Sequence, residues 1–366
     1  SHAGDYLLLE YNKFHDFTDF NNKVRISGDL RDAYIDSRDI EYFAPALKSV
    51  NFKTAISHAA VAGTVANFKV RNALLKTGQN TILKGDFSVH GLPAIAQTEF
   101  TFDLEQLSSS AKDIETIVPQ LAHKKSFILP AQLHQLGRLS YKGKLHGYYN
   151  NFNIDGIVST DLGDVQTKSQ LNFVNDIQYS GNITSPKFDA GKLLENKVLG
   201  HSAFDLDFNG LGTSFDKLQL QVNGALKHAT INGYSYASIL LNADLQDRFL
   251  HAEGTVDDPN AALGFTGDID WNKSIPTYSL SSSIEQLNLK ALHILEKDSI
   301  SIKNTRFSSS LAGTTLNSMN GEVKANSLSL HSSRGDFKID SIQFITSGNE
   351  KDRQLDLQSN VVDGHM

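Results

Sequence analysis

Apolar and polar side chains alternate one by one along most of this chain, and a period of two fits a strand with one dry and one wet face. In SFDKLQLQVNG, Leu218, Leu220 and Val222 fall on one face, while Lys217, Gln219, Gln221 and Asn223 fall on the other. Phe204, Leu206 and Phe208 oppose Asp205, Asp207 and Asn209, and Ile239, Leu241 and Ala243 oppose Ser238, Leu240 and Asn242. The pairs Phe100 with Phe102, Phe152 with Ile154, Leu171 with Phe173, Leu328 with Leu330, and Leu355 with Leu357 carry the pattern onward. Turn chemistry, NG at Asn209 and at Asn232 and DDPN from Asp257, separates the runs at short intervals and predicts an antiparallel meander. Such a sheet must cover its apolar face by packing on a second sheet, by closing into a barrel, or by leaving a groove that something else fills. Alternation alone is satisfied by all three.

The alternation is punctuated. SRDIEYFAPAL, Ser37 to Leu47, returns as AKDIETIVPQL, Ala111 to Leu121, and two looser echoes follow, FDAGKLL from Phe188 and LNLKALH from Leu287. Ile40, Ile114, Leu193 and Leu292 then occupy equivalent points, 74, 79 and 99 residues apart. Recurrence at slowly varying spacing is the mark of a repeat array in which each unit stacks on its neighbours. The expected units are residues 1–48, 49–122, 123–200, 201–298 and an incomplete 299–366. The punctuation reads as short helices. Ser110 to Asp113 match an acid-tolerant capping box with Pro119 as the stop; Asp36 and Asp39 repeat the logic before Ile40, with Pro45 as the stop. A second candidate helix, PAQLHQLG, runs from Pro130 to its end signal at Gly137.

The composition is that of a folded chain, with 40% hydrophobic and 20% charged residues. A net charge of −7 without a Lys/Arg-rich face argues against nucleic acid as a partner. No apolar run approaches the roughly 18 residues that span a bilayer, and no signal peptide is visible at the N-terminus. The absence of cysteine excludes disulfides and thiolate metal sites.

Motifs for chemistry are weak. DLDFNGLGTSFD, Asp205 to Asp216, matches half of a calcium loop, but its acidic residues alternate with Phe204, Leu206 and Phe208 and read as the wet face of a strand; DIDWN from Asp268 reads the same way. The thirteen histidines never form a metal-binding spacing, and the SxxK pair Ser109 and Lys112 coincides with the capping box. Asp257 and Asp258 fall in a turn, where aspartate serves the backbone. The expectation is no catalysis, no metal and no cofactor.

The run from Gly63, GTVANFKVRNALLKTGQNTILKGDFSVHGLPAIAQTEFTFDLEQLSSSAKDIETIVPQL, resembles the TamB family of cell-envelope proteins in its Bacteroidetes form. So do STDLGDVQTKSQLNF from Ser159, YSGNITSPKFDAGKLL from Tyr179, and NGYSYASILLNADLQDRFLHAEGTVDDPNAALGFTGDIDW from Asn232; the likeness covers roughly Asp16 to Gln358, with AsmA-like proteins as the nearest neighbours. The resemblance implies a mainly β fold, an elongated, curved antiparallel sheet of repeating β-groove units with a continuous hydrophobic trough and a few short helices. It implies a periplasmic rod, anchored in the inner membrane by an N-terminal helix and reaching an outer-membrane barrel of the TamA/BamA type. The trough would carry phospholipid acyl chains or, alternatively, chaperone outer-membrane proteins. On that basis the chain is a middle section, lacking the anchor and the C-terminal family domain, and the alternating apolar residues from Phe100 to Leu357 named above become the lining of the trough.

Overall fold

The computed structural model describes residues 6–38, 53–121, 128–129, 131–174, 176–297, 299–315, 318–333, 335–348, 352–360 and 364–365. It is mainly β, antiparallel and unclosed, with a few short helices, as the sequence leads one to expect. The chain forms two compact units, Ser1–Ile183 and Thr184–Met366, and the division falls within a strand.

The N-terminal unit holds β1 (Tyr6–Glu10), β2 (Arg25–Asp36), β3 (Lys53–Thr64), β4 (Asn67–Thr77), β5 (Thr81–His90), β6 (Glu99–Ser109), β7 (Leu139–Tyr148), β8 (Asn151–Thr160) and β9 (Gly163–Asn172). Each pairs antiparallel with the next. The dividing strand is β10 (Gln178–Asp189). The C-terminal unit continues with β11 (Leu199–Leu211), β12 (Gln219–Ile231), β13 (Tyr234–Gln246), β14 (Phe249–Asp258), β15 (Ala261–Asp270) and β16 (Thr277–Asn288). It ends with β17 (Ile300–Ala312), β18 (Asn320–Ser332), β19 (Gly335–Gly348), β20 (Arg353–Ser359) and the two-residue β21 (Gly364–His365). From β11 on, each again pairs antiparallel with its successor.

The two NG dipeptides behave differently. Asn232 and Gly233 are the two-residue turn between β12 and β13, both with positive φ, as a tight hairpin demands. Asn209 and Gly210, by contrast, lie inside β11, where Gly210 sits opposite Leu220. The turn reading fails there because Gly210 supplies smallness in an apolar row, not a reversal of the chain.

Within strands, five residues with side chains adopt positive φ between 49° and 56°: Asp32, Asn72, Ser238, Asn304 and Ser327. This left-handed conformation suits Asn and Asp and is uncommon for Ser. Its effect is a change of phase. Leu30 and Ala33, like Val70 and Ala73, are three residues apart, yet all four join one cluster with Ile56 and Ala59. The extra residue bends the strand and restores the apolar side chains to the same face.

Strands cross closely where glycines face each other. Gly143 on β7 pairs with Gly156 on β8 and has φ 149°, and a Cβ added there would run into the Asp155 carbonyl and the Gly156 Cα. Gly143→Ala is therefore expected to lower stability by roughly 2 kcal/mol in urea unfolding; unchanged stability would contradict this close approach.

Among the described residues the helices include α1 (Phe20–Lys23), α2 (Ala111–Leu121) and α3 (Ala190–Leu193), with 3₁₀ turns at Phe14–Asp19, Ile95–Gln97 and Ala131–Leu136. Among the described residues no helix is long and apolar enough to cross a membrane. The segment expected to be helical around Ile40 lies outside the described residues from Asp39 onward, as does Pro130. Gly137 does end the following 3₁₀ turn, with φ 68°.

The repeat proves to be a cap followed four residues later by an apolar side chain. Ser110 accepts from the Asp113 N–H, Asp189 from Lys192 and Asn288 from Ala291, at 3.2, 3.0 and 3.2 Å. Ile114, Leu193 and Leu292 follow these caps, and Leu292 is fully buried. Three strands lie between β2 and β6 and five between β10 and β16, so in an antiparallel meander the chain leaves the two strands of each pair at the same end.

Two expectations about α2 need correction. Pro119 lies inside the helix, which runs on to Leu121, because a proline in the last turn forfeits only one hydrogen bond. The Asp113 carboxylate does not close a capping box. It accepts instead from Gln79 N at 3.1 Å, Asn80 N at 2.7 Å and Thr81 Oγ1 at 2.9 Å, clamping the helix onto the β4–β5 turn.

Candidate functional site

Residues directly opposite each other in an antiparallel pair share a face, so the register assembles rows across the strands. In the C-terminal unit one row runs Phe208, Val222, Ala243, Ala252, Gly267, Leu280, Ser309, Val323, Phe344 and Leu357. A second runs Leu206, Gly224, Leu241, Gly254, Phe265, Ser282, Phe307, Ala325 and Ile342. A third begins Phe204, Leu226, Ile239, Val256, Leu263 and Ile284, and a fourth begins Leu220, Leu245, Leu250, Ile269, Tyr278 and Leu311 before reaching Leu355. Leu328 and Leu330 on β18 oppose Ile339 and Phe337 on β19. The result is an apolar face several rows deep.

The N-terminal unit repeats the arrangement. Gly28, Val61, Val70, Phe87, Phe102, Leu145 and Ile154 form one row, and Ile26, Gly63, Phe68, Val89, Phe100, Gly147, Phe152 and Leu171 another. Stacked Phe100 and Phe102, 6.5 Å between ring centroids, and the Phe87–Phe102 contact at 5.5 Å concentrate aromatic surface here.

Nearly all of the residues expected to line a trough fall in these rows. Leu218 and Phe173 lie one residue outside β12 and β9. Phe204, Ile239 and Leu328 are buried and Leu355 is 42% exposed, and the others are half-buried. A sandwich core would bury such residues fully. The residues missed from the sequence are the small ones, Gly224, Gly254, Gly267 and Ala252, whose place in the rows follows from register and not from hydrophobicity.

One helix covers part of the apolar face. Ile114 and Ile117 of α2 come over Leu107, Tyr141 and Val158, which continue the rows of β6, β7 and β8. An eleven-residue amphipathic helix is long enough to roof one end of a face three strands wide.

The opposite face is polar and tied strand to strand. Gln221 donates to Asp244 at 2.8 Å, Asn242 to Glu253 at 3.2 Å and Gln343 to Glu322 at 2.9 Å. His251 lies 2.6 Å from Asp268, which also accepts from Ser279 at 2.9 Å. The bond to Asp268 holds the His251 imidazole above its ordinary pKa. Carboxylate, imidazole and hydroxyl meet here, but the carboxylate lies in the middle and the imidazole does not reach the serine oxygen, so the order is not that of a nucleophilic triad and the cluster ties strands together.

The remaining motifs resolve as structure. Asp205, Asp207 and Asn209 are exposed on the wet face of β11, and Asp216 lies 3.7 Å from Arg248, so the calcium-loop residues do not converge. Ser109 Oγ sits 2.8 Å from Thr81 Oγ1 in the α2 clamp. Asp258 ends β14 instead of occupying a turn: its buried carboxylate accepts from Tyr234 Oη at 2.6 Å, Ala237 N at 3.0 Å and Asn260 N at 2.8 Å. Among the described residues no three His, Asp or Glu side chains are placed to hold a metal ion. Fold and site together define an unclosed, one-sided antiparallel sheet with an extended apolar surface. No family model, curated protein or solved structure matches the chain.

Proposed function

We propose that this chain is a section of a lipid conduit of the TamB kind, a non-enzymatic groove that carries phospholipid acyl chains across the periplasm between inner and outer membranes. The observation that carries this reading is the set of half-buried apolar rows on an unclosed sheet. Each methylene moved from water onto such a surface contributes about 0.8 kcal/mol, so eight methylenes gain roughly 6 kcal/mol. Equivalent positions from strand to strand keep successive steps close in energy, which suits movement along the sheet. Native mass spectrometry of the purified chain tests this, with bound phospholipid as the expected result; no lipid under any extraction condition contradicts it.

A second reading, scaffold or chaperone for outer-membrane strands delivered to a TamA/BamA-type barrel, draws on β1. Tyr6, Leu7 and Leu8 are exposed on that strand, and exposed apolar surface of this kind suits an unfolded strand as a client. Crosslinks from the apolar rows to acyl chains, as against crosslinks from β1 to unfolded barrel strands, separate the two.

A further inference from the structure

Helix α2 roofs one end of the apolar face of the N-terminal unit without filling the space beneath it. A cavity of about 310 Å³ remains, lined chiefly by Thr81, Leu107, Ile114, Ile117, Tyr141 and Val158. Its polar groups are already engaged: Thr81 Oγ1 donates to Asp113, and Tyr141 Oη donates to the Lys144 carbonyl at 2.8 Å. Burial pushes the Tyr141 phenol up to about 12, so it stays a neutral donor. What faces the cavity is methyl, methylene and ring carbon. An apolar pocket of this kind accepts hydrocarbon; about 150 Å³ suffices for the six carbons of benzene, which leaves room here for about twelve.

The floor of the cavity is continuous with the trough. Leu107 opposes Tyr141, which opposes Val158, and on β7 Tyr141, Gly143 and Leu145 share the face that carries Phe102 and Ile154. A chain lying across β6, β7 and β8 therefore runs on beneath α2 without crossing polar surface.

We propose that this cavity takes the terminal segment of an unbranched acyl chain, with Ile114 and Ile117 as its roof, so that lipids in this unit point their methyl ends toward α2 and their head groups away from it. The inference rests on the lipid reading above and assigns it a subsite and an orientation.

Decanoate, added to the whole chain with labelled Ile, Leu and Val methyl groups, is the probe, followed by NMR. Saturable shifts at Leu107, Ile114, Ile117 and Val158 are expected. Val158→Phe fills the space and should weaken those shifts about tenfold, on the ground that a packed cavity rejects added carbon, while shifts at Leu220 and Leu241 in the other unit persist. Should Val158→Phe fail to fold, Ile117→Ala enlarges the cavity and should move the preference from decanoate to dodecanoate. Shifts at Leu220 and Leu241 without any at the cavity overturn the subsite and leave the lipid reading standing. So do cavity shifts that Val158→Phe leaves unchanged, or an unchanged chain-length preference in Ile117→Ala. No shift anywhere overturns both.

Discussion

Leu220→Glu combined with Leu241→Glu is expected to strip phospholipid from the purified protein while leaving its strand content intact. Leu220 and Leu241 are half-buried on adjacent strands, in rows where they oppose Leu245 and Gly224. In a filled core each carboxylate would be stranded away from water at a cost of several kcal/mol, and the unit would unfold. On an open face the carboxylates reach solvent, and the loss of stability stays near about 1 kcal/mol apiece. An acyl chain laid over them would have to desolvate both, which lowers its affinity by about a hundredfold or more, since each 1.4 kcal/mol is a factor of ten. Asn223→Glu on the wet face of β12 serves as the control and should leave lipid in place, because Asn223 opposes Asp207 and Asn242 on the polar side. Lipid extracted by mass spectrometry and urea unfolding read the two quantities separately. Global unfolding of the double variant would point to a packed core.

Asp113→Ala is expected to produce the largest loss of stability from any single substitution around α2, roughly 3 kcal/mol, because it leaves the Gln79 and Asn80 N–H groups and the Thr81 hydroxyl without their charged acceptor. Asp113 itself is buried. Burial opposes its charge, but the bonds from Asn80, Gln79 and Thr81 together outweigh burial and hold the carboxyl below its ordinary pKa of 3.8. A depressed native value means that the carboxylate's contribution is fully present above 3.8 and is lost as pH falls through the native value. Asp113→Asn should accordingly be less stable than the wild type at neutral pH, and the difference should shrink below 3.8. Equal acid sensitivity of wild type and Asp113→Asn in denaturant titrations would show that this clamp does not hold the helix.

Much of the fold is legible in sequence because period two needs no long-range information: Leu220, Val222, Leu241 and Leu357 go to the apolar face on alternation alone. Phase slips are harder. At Asn72, Asn304 and Ser327 the strand takes an extra residue in the left-handed region, and only the triplet spacing of Val70 to Ala73, or of Ala325 to Leu328, hints at it. The recurring Asp and Ser before Ile114 and Leu193 identify the helical insertions from sequence, because a cap is local chemistry. Where the Asp113 carboxylate would go is not local, since its partners lie more than thirty residues upstream. Gly210 reads as a turn for the same reason: its role depends on Leu220 across the strand pair, which no neighbouring residue reports.

The central claim is that the apolar rows are an acyl-binding surface, and photocrosslinking with a phospholipid carrying a diazirine on its acyl chain tests it most directly. Labelling mapped by peptide sequencing should alternate along β12 and β13, falling on Leu220, Val222, Leu241 and Ala243 and sparing Gln221, Asn223 and Asn242. Labelling of both faces alike, or none on either strand in a protein that retains its β structure, would contradict the account.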